Sequence, residues 1–294
     1  MKKKPENLPR IGLIANFEKP SSRAVVLAAA GLIAASGRAL SADTETARMA
    51  GLKCGVFAGP AALAAQVDLL LVFGGDGTML RVVREIDGAD TPILGINVGR
   101  LGFLTAVSST NLSQSLGKLW RADFVIESRP LLEATGRCRD KPIRMSALND
   151  IVISHGAVSR LIELDVSVNN NPLTRYRGDG LIVSSATGST AYSLSAGGPI
   201  ISPGADVLAI TPICAHALSN RPVIISLKSV VRVELVSRET DTIVSADGQL
   251  VANLTAGDAV TIRRSRRRVR LLHLGGSSFF ETIRQKLRWS GSSV

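Results

Sequence analysis

Two stretches of this chain hold residue types whose spacing could do chemistry. The first is Gly74-Gly75-Asp76-Gly77-Thr78, which follows the apolar residues 69–73 and precedes the helix-compatible Met79-Leu80-Arg81-Val82-Val83. Three glycines at a strand-to-helix turn let the main chain approach a ligand closely, and the N-terminus of the following helix favours phosphate. The spacing G-x-x-x-x-G-K-[ST] is not met, because its lysine is missing. A carboxylate, Asp76, is present instead. It would repel phosphate, so it suits abstraction of a proton from a hydroxyl, or orientation of that hydroxyl, while a phosphoryl group is held nearby. The same five residues also read as a tight turn with Asp76 capping the helix, and Arg81 reads as either a phosphate contact or a solvated side chain.

The second stretch runs from Gly178-Asp179-Gly180 to Ala196-Gly197-Gly198-Pro199, and its middle places Thr187, Ser189, Thr190 and Ser193 around Gly188. Small hydroxyls and exposed main-chain N–H groups ahead of a helix-compatible segment are the parts from which nucleotide phosphate and ribose sites are built. The bland alternative is a turn-rich loop without a ligand. Residues 187–190 hold none of the aliphatic side chains that a core element would need.

The elements that must position these stretches fall into two textures. Residues 10–110 alternate short apolar runs, at 11–15, 52–57, 69–73 and 93–96, with helix-compatible segments at 21–35, 60–66 and from about Thr78. Apolar runs without polar alternation suit strands covered on both faces, hence a parallel α/β sheet. After about residue 125 polar and apolar residues alternate, as at 151–153, 161–168, 230–236 and 259–262, and Asn169-Asn170-Asn171-Pro172 is a turn. The expected fold class is α/β: a Rossmann-like N-terminal domain with a parallel sheet over residues 1–125, followed by a β-rich domain over 126–277. An amphipathic helix within 278–294 is expected to dock back on the first domain.

Composition narrows the class of partner. The chain has 294 residues, 45% hydrophobic and 20% charged, which suits a globular protein with a core large enough to need no staples. Cys54, Cys138 and Cys214 are odd in number and far apart, and His155, His216 and His273 are scattered, so neither disulfides nor zinc is expected. His216 reads as a packed imidazole. Residues 24–35 form the most apolar stretch, too short for the about 20 residues of a membrane span. The lysines at 2–4 superficially copy a secretory signal, but Pro5, Glu6, Pro9, Arg10, Glu18 and Lys19 separate them from that stretch, so a cytoplasmic location is expected. A net charge of +11 favours polyanions without choosing among nucleic acid, anionic lipid and phosphorylated metabolites.

The order of several motifs makes the chain resemble the NAD kinase family. These are the two stretches above, Leu101-Gly102-Phe103-Leu104-Thr105, Leu148-Asn149-Asp150, Leu218-Ser219-Asn220-Arg221-Pro222, Asp247-Gly248-Gln249 and Ser278-Phe279-Phe280-Glu281. The resemblance implies transfer of the ATP γ-phosphate to the 2′-hydroxyl of the adenosine ribose of NAD, giving NADP. Mg²⁺ or another divalent cation would accompany ATP, with polyphosphate as a possible alternative donor, and the chain would assemble as a homodimer or homotetramer. On matching positions Asp76 is the catalytic carboxylate and Gly77 lines the phosphates. Asn149 and Asp150 hold the adenosine portion, Thr190, Ala191 and Tyr192 line the adenine site beside Ser193, and Asp179 and Ser195 reach the nicotinamide end. Arg160, Arg177 and Gln249 complete the pocket, and Phe103 packs against a base. No protein ligand for a metal is assigned. Ser185-Ala186 departs from the family's usual Thr-Pro, and Ala215 from a proline before the histidine, which implies a less rigid loop.

A diacylglycerol-type lipid kinase would share residues 74–78 but lack the motif at 187–199. A non-catalytic nucleotide- or RNA-binding protein would use Arg263, Arg264, Arg266, Arg267, Arg268 and Arg270, six arginines in eight residues. Apolar strand residues bracket that run, so a solvated β-hairpin able to steer ATP or polyphosphate is expected rather than a nucleic-acid arm, and neither a nucleic-acid nor a membrane partner is expected.

Overall fold

The computed structural model describes residues 8–99, 102–105, 107–138, 141–156, 161–217, 219–238, 241–276 and 278–289. Two compact units are present, one built from the residues up to Ser128 together with those from Arg268 onward, the other from Arg129–Arg267.

The first unit holds β1 (Arg10–Ala15), α1 (Pro20–Ala35), β2 (Ala39–Asp43), α2 (Thr44–Ala50), β3 (Gly55–Phe57), α3 (Pro60–Ala64), β4 (Leu69–Gly74), α4 (Asp76–Ile86) and β5 (Ile93–Asn97). Its strands pair in the order β5-β4-β1-β2-β3, all parallel. Every residue of β4 and β5 is buried, as both-face coverage requires. Helix α1 starts on Pro20, which suits the first helical position, and buries Ser22, Val26, Ala29 and Ile33 at helical spacing. Val26, Ala29 and Ile33 meet Ile11, Leu13, Leu71, Phe73 and Ile96 in one apolar core. From β1 the chain adds β2 and β3 on one side and then returns to place β4 on the other. The direction of strand addition therefore reverses between β1 and β4, and ligands of such sheets lie outside the carboxyl ends of the strands at that point. The glycine bend after β4 sits at this end.

Beyond β5 come β6 (Val107–Ser108), a 3₁₀ turn at Ser109–Asn111 and α5 (Leu112–Trp120). The second unit then takes in the strands β7 (Phe124–Cys138), β8 (Lys141–Ala147), β9 (Asp150–His155), β10 (Ile162–Val168), β11 (Asn171–Gly178) and β12 (Gly180–Ser185). After a 3₁₀ turn at Thr187–Thr190 and α6 (Tyr192–Ser195) follow β13 (Val207–Ile213), β14 (Val223–Ser226), β15 (Val231–Leu235), β16 (Thr242–Ala246), β17 (Gln249–Leu254) and β18 (Ala259–Leu274). Strands β7 and β18 cross the unit boundaries, and α7 (Phe279–Leu287) ends the described chain. An antiparallel sheet in the order β14-β13-β12-β9-β16-β17 shares one core with β10, β15 and the start of β18. Ile151, Ile153, Leu181, Val183 and Ile210 come from the first, and Leu164, Val166, Val233, Val260 and Ile262 from the second. Asn169 and Asn170, at φ 51° and 65°, make the tight turn between β10 and β11, a conformation that asparagine tolerates well.

The expected α/β class with a β-rich second half holds, with local differences. Strand β2 and helix α2 form in a stretch without an apolar run, where Asp43 caps the helix by accepting from Thr46 N at 3.0 Å. The apolar stretch 52–57 yields only Gly55–Phe57 as strand, and α4 begins at Asp76 rather than Thr78. The expected hairpin around the arginine run is overturned: residues 259–274 are one continuous strand. None of them is Gly, Pro, Asn or Asp, and Ser265 is buried in the strand together with Val260, Ile262, Val269 and Leu271, between the exposed arginines. No helix among the described residues is long and apolar enough to cross a membrane.

Gly95 in β5 lets residues 104 and 105 pack directly on the sheet. A Cβ there would lie 2.9 Å from the Leu104 carbonyl oxygen and 3.0 Å from both Thr105 Cα and Met79 Sδ. Two of these are main-chain atoms that cannot swing away, so Gly95→Ala is expected to lower unfolding free energy by about 1–3 kcal/mol in urea titrations. An unchanged midpoint would show that the loop over β5 yields freely.

Candidate active site

In the first unit the site begins where β4 ends. Gly74 and Gly75 turn the chain into α4, and a Cβ on Gly74 would fall 2.3 Å from Thr78 Oγ1, so the bend closes this tightly only with glycine. Asp76 is the first residue of α4, yet its side chain does not cap the helix. Its carboxylate instead accepts main-chain N–H groups from Phe103 at 2.8 Å and Leu104 at 3.0 Å, one on each oxygen. Thr105 Oγ1 braces this loop, accepting from Gly102 N at 3.2 Å and from Asn97 Nδ2 at 3.0 Å. A Cβ on Gly102 would lie within 1.9 Å of Asp76 Oδ1, so that glycine leaves space for the carboxylate. Each carboxylate oxygen has more than one acceptor direction, so both can still receive a hydroxyl.

Gly77 is exposed on the first turn of α4. Phe103 is half-buried, with Lys286 Nζ of α7 5.4 Å from its ring centroid, within cation–π range. Arg81 does not turn to the bend; it reaches Glu85 at 3.4 Å and the Ala15 carbonyl at 3.5 Å. The sequence reading passed over Lys19, just before α1, whose Nζ lies 4.0 Å from a Cβ built on Gly75 and 3.7 Å from one built on Gly99. It brings a cation to a bend whose motif lacks the P-loop lysine. No local motif announces this, because residues 19 and 75 meet only through the pairing of β1 with β4.

In the second unit Asn149 lies between β8 and β9 and Asp150 opens β9, both buried. Asp247, at φ 47° beside Gly248 at φ 76°, turns β16 into β17. Its carboxylate accepts from Leu148 N at 2.8 Å, Asn149 N at 2.7 Å and Asp150 N at 3.3 Å, while its own N–H donates to the Asp150 carbonyl at 3.0 Å. From the other side Ser185 Oγ donates to the Leu148 carbonyl at 2.6 Å and accepts from Gly188 N at 3.1 Å. A Cβ on Gly188 would lie 2.1 Å from the Asn149 carbonyl oxygen, so the 187–190 turn rests directly on the 148–150 loop. The serine in place of threonine thus keeps the hydrogen bonds of this corner, and Ala186, at φ −56°, has a backbone that proline would also adopt. Burial, and then the negative charge of Asp247, push the Asp150 carboxyl up to about 7.

Around this corner Thr190 and Ala191 are half-buried, Tyr192 and Ser195 are exposed, and Gln249 is exposed two residues beyond Asp247. Ser193 is fully buried, with its hydroxyl 2.9 Å from that of Thr211. Ser189 is used the same way, bonding Ala186 and Ile201 main-chain groups. The other predicted residues have different neighbours. Arg177 faces Glu163 across the β10–β11 pair at 3.8 Å, and Asp179 binds the Cys214 thiol, raising its pKa. His216 is exposed rather than packed, with its main-chain N–H donating to the Arg177 carbonyl at 2.9 Å. Arg160 lies outside the described residues. Among the described residues no three His, Cys, Asp or Glu side chains gather as a metal cluster.

Comparison with known proteins adds to this geometry. Residues 11–124 match the ATP-NAD kinase N-terminal domain, and residues 148–274 match the ATP-NAD kinase C-terminal domain. An NAD kinase of Moorella thermoacetica is 40% identical over 97% of this chain and 91% of its own, and one of Syntrophotalea carbinolica is 48% identical over 76% and 79%. Among solved structures, yeast NADH kinase complexed with NADH superposes with a TM-score of 0.88 at 25% identity, covering 98% of this chain and 89% of that one. An NAD kinase from Archaeoglobus fulgidus in complex with ATP gives 0.75 at 25% identity, covering 96% and 100%. With both domain descriptions matched along most of its length, this chain belongs to the ATP-NAD kinase family.

Proposed function

We propose that in this chain the NAD kinase reaction, transfer of the γ-phosphate of ATP to the 2′-hydroxyl of the adenosine ribose of NAD to give NADP, is carried by Asp76. The observation behind this assignment is the carboxylate's position, pinned by two main-chain N–H groups at the strand end where the sheet reverses its order. The hydroxyl gives its proton to Asp76 or is aligned by it, the new O–P bond forms on the ribose oxygen, and the bond from the γ-phosphorus to the bridging oxygen breaks to release ADP. Little covalent work falls to the protein in such a transfer, so placement dominates.

Gly77 and the first turn of α4 line the phosphates, and Lys19 supplies the countercharge missing from the bend. Asn149 offers its amide to the adenine edge and Asp150 accepts ribose hydroxyls. Thr190, Ala191 and Tyr192 line the adenine, Asp179 and Ser195 the nicotinamide end, and Arg160, Arg177 and Gln249 the remaining wall. Phe103 packs on a base. Ser193 acts by holding the backbone through Thr211. Magnesium often binds through one or two carboxylates plus substrate phosphates, so a lone Asp76 beside a phosphate cradle fits a cation that arrives with ATP, where it would neutralise phosphate charge. A cytoplasmic homodimer or homotetramer belongs to the same proposal.

Asp76→Asn keeps the shape but removes the proton acceptor and, with one oxygen in place of two, gives up one of the two main-chain N–H bonds. Turnover, followed by a dehydrogenase coupled to NADP, is expected to fall by about 10²–10⁴-fold. Retained turnover would free Asp76 from its role. Lys19→Met should raise the KM for ATP roughly tenfold, the worth of a charge-assisted contact, and leave the KM for NAD within twofold. Equal KM values for ATP in the two proteins would remove Lys19 from the phosphate site.

Asp150 holds its proton more tightly when folded, at about 7, than at the ordinary 3.8. Its contribution to stability is therefore intact below about pH 3.8 and is lost as pH rises through about 7. Asp150→Asn should be more stable than the parent by on the order of 3 kcal/mol at pH 8 and by far less at pH 4.5, measured by urea unfolding, while its KM for NAD rises. A stability difference that does not change with pH would mean that Asp150 ionises normally.

A further inference from the structure

The arginines of β18 take no part in the proposed kinase site, yet they line a concavity. Arg144 of β8 and residues 263–267 of β18 surround a cleft of about 570 Å³ with Glu133 of β7 in its wall, a size in the range of small-ligand sites. Five guanidinium groups face one carboxylate there.

That carboxylate organises the cleft. The Glu133 side chain, only 12% exposed, accepts Arg263 Nε and Nη2 on one oxygen at 3.2 and 2.9 Å and Arg144 Nη2 on the other. The two arginines hold its carboxyl below the usual carboxylate range, so the anchor stays charged. Each guanidinium has five N–H donors in a fixed plane, so anchoring on Glu133 leaves others with a set direction. Ser265 is buried at the centre of the run, its hydroxyl accepting from Arg267 N at 3.1 Å. Arg264 and Arg266 are exposed beside it. No aromatic or aliphatic side chain lines the cleft, so a nucleobase finds nothing to stack on and an acyl chain nothing apolar to cover. Only concentrated negative charge is matched.

We propose that this cleft binds a compact anion carrying several adjacent phosphate groups, whether a short inorganic polyphosphate or a small polyphosphorylated metabolite. Its concave, local form favours such a ligand over a nucleic-acid backbone, which needs an extended basic track.

The test is calorimetric titration of the full chain with tripolyphosphate and, separately, with inositol hexakisphosphate, the linear and ring-borne forms of the same chemistry. The double variant Arg264→Ala/Arg266→Ala is compared with Arg175→Ala/Arg232→Ala, which removes the same charge from elsewhere in the second unit. We expect the first variant to lose one bound probe per chain, or to bind at least tenfold more weakly. The second should change less than twofold, orthophosphate should bind at least tenfold more weakly than either probe, and turnover of ATP and NAD should match the parent in both variants. The tighter probe identifies the source of the ligand. Equal weakening in both variants, or none in the first, would overturn the site. Displacement of tripolyphosphate by duplex DNA at a lower phosphate concentration would make the surface a nucleic-acid patch instead.

Discussion

The first unit is organised around the capture of one carboxylate by main-chain N–H groups. Asp76 cannot reach Phe103 N and Leu104 N unless three other positions leave room. Gly74 lets the bend close on Thr78, Gly102 leaves space beside Oδ1, and Gly95 lets the loop lie directly on β5. Each of these approaches is closer than any Cβ could allow, so the glycines are required by contact distances. With the carboxylate fixed at two points, the side chain loses the rotamer freedom that would otherwise be spent when substrate arrives.

The second unit solves a similar problem with a side chain in place of a ligand-binding loop. Asp247 reaches across from the β16–β17 turn and satisfies three consecutive N–H groups of residues 148–150. Ser185 and Gly188 close the corner from the opposite side. Burial, and then the negative charge of Asp247 beside it, let Asp150 hold its proton up to about 7.

Much was legible from the chain alone. The glycine bend, the strand before it and the helix after it could be placed because a short apolar run, three glycines and an amphipathic run are local signals. The family resemblance rested on motifs spread along most of the chain, and it holds. Strand β2 was missed because Ala39-Leu40-Ser41-Ala42-Asp43 has neither an apolar run nor alternation, and it owes its place to lying between β1 and β3. The arginine run was read as a hairpin because apolar strand residues bracket it. In the fold they occupy exposed positions of a strand whose remaining residues are buried.

Local order in the sequence determined which residue types stand at the bend and at the 187–190 turn, because turn chemistry, periodicity and motif spacing act over a few residues. Tertiary structure alone decided that Asp76 bonds a loop 27 residues away, that Lys19 stands beside Gly75, that Asp247 holds the 148–150 loop, and that Glu133 gathers two arginines from different strands. Such partners are chosen by strand order and register, which depend on how the whole core packs and leave no trace in the residues on either side.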